Sequence, residues 1–198
     1  ILLLTLTEAK PIARFKDHQA PISAAAISPD GKNLATASLD GSVTLRSTRP
    51  DSQPITLRGH GARFDKLHFS PDSSLLLTSG PGAPPAIWNV KDGSHLLNLR
   101  IEQEDVVSAR FSPDGQAVTT AIRSGRLLQS ERSTGLTYNV IALPGKEPTD
   151  LHYSPDGQRI LVSFQDGSCS LRNVPRNAAV HILDDGEQKL QSSPDNYF

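Results

Sequence analysis

Two histidines and an arginine are the residues of this 198-residue chain whose types and spacing most suggest chemistry. His68 and His152 stand 84 residues apart with Arg110 midway, and each follows an apolar residue (Leu67, Ala109, Leu151) in a short alternating segment. Two imidazoles and a guanidinium on one surface could hold an anion. A metal would want more ligands, and a guanidinium is a poor neighbour for a cation. The other reading is that all three are solvated or packed polar residues. The commoner enzyme signatures are missing. There is no Gly-x-Gly-x-x-Gly, no phosphate loop (Gly145-Lys146 runs into Glu147), no Gly-x-Ser-x-Gly elbow and no His-Glu-x-x-His. No catalytic residue, metal or cofactor is therefore expected.

The elements that must position these side chains are written several times over. Ser28-Pro29-Asp30-Gly31 recurs as Ser70-Pro71-Asp72, Ser112-Pro113-Asp114-Gly115 and Ser154-Pro155-Asp156-Gly157, each 42 residues after the last, and Ser193-Pro194-Asp195 follows after 39. The chain is an array of one unit. Proline at the second position, serine at the first and glycine at the fourth describe a type I turn, and the serine before proline is driven toward extended geometry, so it should end a strand.

Around each turn the sequence reads as strands. Val107, Ala109 and Phe111 alternate with polar residues before one turn, as Leu67 with Phe69 and Leu151 with Tyr153 do before others. A second apolar run follows (34–37, 75–78, 117–121, 160–162), then in two units Asp40-Gly41 and Asp166-Gly167, read as two-residue hairpins. Third strands are expected at 43–45, 86–88, 126–129 and 168–171, and fourth strands at 12–15, 55–57, 96–99, 139–143 and 180–183. Ser79 to Pro85 replaces the hairpin of the second unit with a proline-rich stretch, expected to project as a surface loop. Four short antiparallel strands in about 42 residues is the arithmetic of a propeller blade, and first strands line the central channel of such a ring. Residues 68, 110 and 152 would then share that channel.

The unit resembles the WD-repeat family of β-propellers, whose blades read Gly-His, a strand, Ser-Pro-Asp-Gly, a strand, Asp-Gly and a strand ending Trp-Asp. Here the matching residues are Gly59-His60 and Asp17-His18, the turns above, and Trp88 followed by Asn89. Periplasmic propellers of the TolB type share the turn, but Gly59-His60 and the Asp-Gly pairs favour the WD-repeat pattern. The chain also departs from it. Arg46, Ser130 and Arg172 take the tryptophan slot, Glu102 and Pro144 the histidine slot, and Gly82 the turn-aspartate slot of the unit that has Trp88. The resemblance implies an all-β fold: a propeller of four-stranded antiparallel blades over residues 1–198, about four complete repeats with part-repeats at each end. The family's usual count implies a seven-bladed parent ring.

The resemblance also implies function. Histidine, a strand hydroxyl, the turn aspartate and tryptophan form a buried network in the family, so His18, His60, Trp88, Asp40 and Asp166 are expected to be structural. Since no unit has every member, such networks are expected to add little stability. WD-repeat proteins are non-catalytic scaffolds or sensors that bind a protein or peptide through rim and loops. The rim slots hold Pro21, Ser23 and Leu39; Arg63, Asp65 and Pro81; Asp105, Val107 and Arg123; and Glu147, Thr149 and Gln165. Of these, Arg63, Asp65, Asp105, Arg123, Glu147 and Gln165 are the candidate partner-binding residues. The alternative is a ligand-binding, ion-binding or catalytic propeller with its site in the channel around His68, Arg110 and His152.

Composition sets bounds on partners. A formal net charge of -1 gives no global attraction to nucleic acid or an anionic membrane. One cysteine, Cys169, precludes an internal disulfide and suits a reducing, cytoplasmic compartment; it is read as a packed thiol. The chain has no methionine and starts in a third-strand slot, so it reads as an excerpt whose remaining blades come from the same or another chain. A gap in the ring leaves strand edges open, and the segment alone is expected to self-associate.

Overall fold

The computed structural model describes residues 2–4, 11–49, 51–57, 64–101 and 104–174. Among these residues every regular element is a strand, and the strands form antiparallel sheets in the order of the repeats. β1 (Leu2–Leu4) pairs with β2 (Pro11–Arg14) as the third and fourth strands of a leading unit. The first full blade is β3 (Ile22–Ile27), β4 (Asn33–Ser38), β5 (Val43–Ser47) and β6 (Ile55–Leu57). The second is β7 (Lys66–Phe69), β8 (Leu75–Gly80), β9 (Ala83–Asn89) and β10 (His95–Asn98). The third is β11 (Val106–Phe111), β12 (Ala117–Ile122), β13 (Arg126–Glu131) and β14 (Thr137–Ala142). The fourth shows β15 (Pro148–Tyr153), β16 (Arg159–Phe164) and β17 (Cys169–Asn173). The fourth strand expected at 180–183, the fifth turn, Gly59-His60, Arg63 and Glu102 lie outside the described residues.

Each Ser-Pro-Asp-Gly turn closes in the same way. The serine carbonyl accepts the glycine N–H at 2.8 Å in the first and third blades and 2.9 Å in the fourth, which is the type I bond expected from sequence. The serine hydroxyl donates to the aspartate (2.6 Å at Ser28, 2.5 Å at Ser70, Ser112 and Ser154) and accepts the N–H that opens the next strand at 2.9 Å in all four blades. Those hydroxyls, followed by the amide two residues on, hold Asp30, Asp72, Asp114 and Asp156 below the ordinary carboxylate value. The second turn has no glycine, and Ser73 itself takes φ 63°, the left-handed region that costs a side chain energy. Its hydroxyl accepts the Asp30 N–H at 3.1 Å, which ties one blade's turn to the next.

Three hairpins differ from the sequence expectation. Asp166-Gly167, where the Phe164 carbonyl accepts the Gly167 N–H at 3.1 Å and Gly167 has φ 80°, does so in the same way as Asp40-Gly41. Asp40-Gly41 is part of a longer turn in which the Ser38 carbonyl accepts the Gly41 N–H at 3.1 Å, Gly41 has φ 82° and Ser38 N–H bonds the Ser42 carbonyl. This is a type I turn with a glycine bulge rather than a two-residue loop. Ser79 to Pro85 does not project. Pro81-Gly82, with Gly82 at φ 83°, turns tightly from β8 into β9, and a register shift between Thr78 and Gly80 absorbs the missing donors of Pro84 and Pro85. The Pro85 carbonyl still accepts the Leu99 N–H at 2.8 Å.

The core consists of the seams between blades. Ala35, Ala37, Val43, Leu45 and Leu57 of the first blade meet Phe69, Leu76, Ala86 and Trp88 of the second. Leu77, Ile87 and Leu99, on the second blade's other face, meet Ala109, Phe111 and Val118. Ala121, Leu127 and Leu143 then meet Leu151, Ile160, Val162 and Phe164. Because successive side chains point to opposite faces and both faces are covered, the second strands of the first three blades are buried almost end to end instead of alternating. A polar seam joins the last two blades, where Tyr153 hydrogen-bonds Thr119 and buried Gln129.

On the fourth blade the face away from the third is open among the described residues. Cys169 was expected to be packed, yet it is exposed at the head of β17. Its slot in other units holds buried Val43 and Leu127, which owe their burial to the following blade. Leu171 is 57% exposed, whereas Leu45 and Ile87 at the same repeat position are each 1% exposed. One repeat position should thus respond in two ways. Leu45→Ala should cost about 2–5 kcal/mol for the cavity left in the seam, and Leu171→Ala about 0.5 kcal/mol or less. Urea denaturation of both variants checks this, and equal losses would contradict the open face.

Candidate functional site

The inner strands β3, β7, β11 and β15 bring the repeat-spaced polar residues together. Arg110 Nη2 lies 3.5 Å from His152 Nε2, as the spacing suggested. His68 is largely buried, and its Nδ1 accepts the Phe111 amide N–H at 3.4 Å, so the ring proton sits on Nε2. Burial, then the charges of Arg110 and His152, push the His68 imidazole down to about 4 against the opposing pull of Asp150. His68 is therefore neutral at physiological pH.

The centre of this group is a residue that the sequence reading passed over. Asp150 accepts the Ser108 hydroxyl at 2.7 Å and the Leu151 N–H at 2.8 Å. Lys66 Nζ stands 3.5 Å away, Arg110 Nη2 3.4 Å and His152 Nε2 3.6 Å. Burial pushes the Asp150 carboxyl up, but the Ser108 hydroxyl, the Leu151 amide and the two cations outweigh it and hold it below its ordinary value. The signal was available: Lys66, Ser108 and Asp150 repeat at 42 residues, two positions before His68, Arg110 and His152, and so point to the same face. Among the described residues no group of three or more His, Cys, Asp or Glu side chains could hold a metal ion.

The rim slots are also brought into register. Leu39 N–H bonds the Pro21 carbonyl at 2.9 Å, Arg123 N–H the Asp105 carbonyl at 2.9 Å and Gln165 N–H the Glu147 carbonyl at 3.0 Å. Each loop that enters a blade is thereby tied to the turn between its second and third strands. Arg123 Nε also donates to Asp105 Oδ2 at 2.7 Å, and Glu147 adds to the charge Arg123 feels. Arg123, Asp105, Glu147 and Gln165 are all exposed, and Asp65 is half-buried.

The structural residues form three different arrangements. In the first blade His18 Nδ1 bonds Ser42 Oγ at 2.8 Å and Nε2 bonds Thr36 Oγ1 at 2.7 Å, with Thr44 Oγ1 2.8 Å from Thr36 Oγ1. Asp40 lies 3.5 Å from the ring and accepts the Gln19 N–H at 2.9 Å. The network closes without tryptophan. Arg46, in the tryptophan slot, instead forks onto Asp17 at 2.8 Å, donates to the Ser52 carbonyl and lies 3.7 Å above the Phe15 ring. In the second blade Trp88 is 1% exposed, donates its indole N–H to Thr78 Oγ1 at 3.0 Å and meets His95 edge-on at 5.0 Å. In the fourth blade Asp166 pairs with Lys146 and accepts the Ser168 hydroxyl at 2.5 Å.

Comparison with known proteins agrees with this geometry. The model "WD domain, G-beta repeat" matches residues 9–46, which include the His18 network and its turn. These residues read as a WD repeat, and the chain is similar to the WD-repeat family. WD repeat-containing protein AAC3 of Dictyostelium discoideum is 25% identical over 131 residues, 66% of this chain and 27% of the relative. An uncharacterized WD repeat-containing protein of Synechocystis sp. is 28% identical over 158 residues, 79% of this chain and 45% of the relative. The Drosophila melanogaster protein LST8 homolog is 39% identical over 90 residues, 42% of this chain and 29% of the relative. The chain thus spans less than half the length of these curated relatives. Among solved structures, the C-terminal WD40 domain of Sif2 superposes with a TM-score of 0.72 at 20% identity, over 88% of this chain and 52% of that one. The computationally designed Ika4 protein does so with a TM-score of 0.72 at 17% identity, over 84% of this chain and 99% of that one. Both show the propeller fold. The WD-repeat relatives support a general role in protein interaction.

Two expectations follow from the buried members. Trp88→Ala should cost about 3–5 kcal/mol, and the wild-type indole should emit at short wavelength and resist aqueous quenchers; a red-shifted, readily quenched spectrum would misplace it. For His68, the folded value of about 4 lies below the ordinary 6.5, so the unfolded chain takes up its proton first as pH falls. Its contribution is complete above pH 6.5 and is lost as pH drops toward 4. The turn carboxylates act lower, their contribution fading only below the ordinary 3.8. The stability difference between pH 7 and pH 5 should accordingly shrink in His68→Gln, measured by urea midpoints, and an unchanged difference would refute it.

Proposed function

We propose that this WD-repeat segment is a non-catalytic scaffold or sensor module that binds a protein or peptide through its rim. The observation that carries the reading is the rim itself. Charged Asp105, Arg123 and Glu147 and polar Gln165 are exposed in the third and fourth blades, and Leu39 is 51% and Ile22 40% exposed at the corresponding edge of the first. Backbone bonds hold these slots at one edge of each blade, so a partner would meet a pre-set surface with both apolar and charged parts. Fixed exposed side chains lower the ordering cost of binding. The net charge of -1 supplies no general attraction to nucleic acid or membrane.

The remaining blades would come from the same or another chain. Leu161 and Leu171, apolar and exposed on the fourth blade in slots that are buried elsewhere, support this. We place the module in the cytoplasm, where an exposed free thiol such as Cys169 stays reduced. The rim reading is tested by affinity capture with wild type, Arg123→Glu and Leu39→Asp, the recovered partner being identified and its affinity then measured with each variant. Both substitutions should weaken binding about tenfold or more and leave the melting temperature unchanged. Undiminished affinity in both would remove this surface from consideration.

A further inference from the structure

We propose that the channel wall formed by Lys66, Arg110 and His68 is a binding site for a tetrahedral oxyanion, either free phosphate or a phosphorylated side chain. The site is separate from the rim. Two cations from neighbouring blades converge on one place, since Lys66 Nζ and Arg110 Nη2 lie 3.5 and 3.4 Å from the Asp150 carboxylate. That carboxylate does not use up their bonding capacity. Its Oδ1 already accepts Ser108 at 2.7 Å and Leu151 N–H at 2.8 Å, and both cations sit at the long limit of hydrogen bonding. An arginine offers five N–H donors and a lysine three. Arg110 Nε is buried and has no hydrogen-bond acceptor among the described residues.

The remaining groups fit the same ligand. Two cations against one carboxylate leave the wall net positive, which disfavours a metal and favours an anion. His68, its Nδ1 occupied by the Phe111 amide, carries its proton on Nε2 and is a neutral donor. His152 Nε2, 3.5 Å from Arg110, flanks the guanidinium on the fourth blade. In the first blade the equivalent slots hold Ala24 and Ala26, so no long side chain from that strand competes for the space. A guanidinium and an ammonium together suit phosphate, whose several oxygens can accept from both at once.

The test is a titration of the full chain with inorganic phosphate, read by the side-chain nitrogen resonances of His68 and His152. Saturable shifts are expected at both. Lys66→Ala and Arg110→Ala should each weaken binding about tenfold or more, as for the loss of a charge-assisted hydrogen bond. Asp150→Asn, which keeps the shape and removes the competing charge, should tighten it. A phosphoserine peptide, compared with its unphosphorylated form, separates the two sources: tighter binding than phosphate identifies a phosphorylated side chain, and binding no tighter than phosphate identifies the free anion. Absence of saturable shifts in both wild type and Asp150→Asn, or an unchanged affinity in Arg110→Ala, would overturn the proposal.

Discussion

Every blade of this protein has two apolar faces, and neither can be covered from within the blade. Leu76 and Leu77, adjacent on β8, are both nearly inaccessible, yet one packs against the first blade and the other against the third. A four-stranded sheet of this size cannot stand alone in water with both faces bare, since each fully buried leucine is worth roughly 1.5–3 kcal/mol. Stability is therefore a property of neighbouring pairs, as in other repeat arrays. The same dependence explains why Leu171 is bare and Leu45 is not, although the repeat treats them alike.

The Ser-Pro-Asp-Gly turn gives that stacking its regular pitch. Each turn satisfies its own serine, aspartate and following amide, so it has one geometry wherever it is written. A Cβ at Gly115 would stand 3.5 Å from Pro71 and one at Gly157 3.5 Å from Pro113, so successive turns also lie against each other at ordinary contact distance. Where glycine is missing, Ser73 accepts a left-handed backbone and supplies the link to Asp30 instead. With the pitch fixed, residues 42 apart become neighbours on the channel wall, which is how Lys66, Ser108 and Asp150 come to meet.

The fold was legible because its signals are local: the turn, the alternation and the spacing each act within a few residues. Half of the channel site was legible too, since His68, Arg110 and His152 share one register. Asp150 is harder to read, because its signal is the 42-residue register it shares with Lys66 and Ser108, two positions before the histidines and arginine, and not its own residue type. The proline-rich stretch misled because proline was weighed for the donors it lacks and not for the tight turn that Pro81-Gly82 makes. Cys169 misled for the opposite reason, since sequence reports the slot while burial depends on what stands beside it.

The divergence of the repeats from the family pattern follows a physical rule. Where a blade carries the turn carboxylate, as the first and fourth do, a donor or cation faces it, and several residues can supply that group. His18 does so for Asp40 in the first blade. In the fourth, where proline holds the histidine slot, Lys146 reaches Asp166 and Ser168 from two residues further on and lies 5.8 Å from the Phe164 ring centroid. The tryptophan slot shows the same freedom: Trp88 fills its seam with an aromatic body and one donor, while Arg46 fills the equivalent one by stacking on Phe15 and forking onto Asp17. These replacements are not equal in kind. The buried Arg46–Asp17 pair is shielded from solvent, whereas Lys146 and Asp166 are each about half exposed and screened by water and salt. The first blade therefore holds its edge by buried polar chemistry, the second by an aromatic side chain, and the fourth more loosely, so the repeat conserves a geometry that different side chains meet with unequal rigidity.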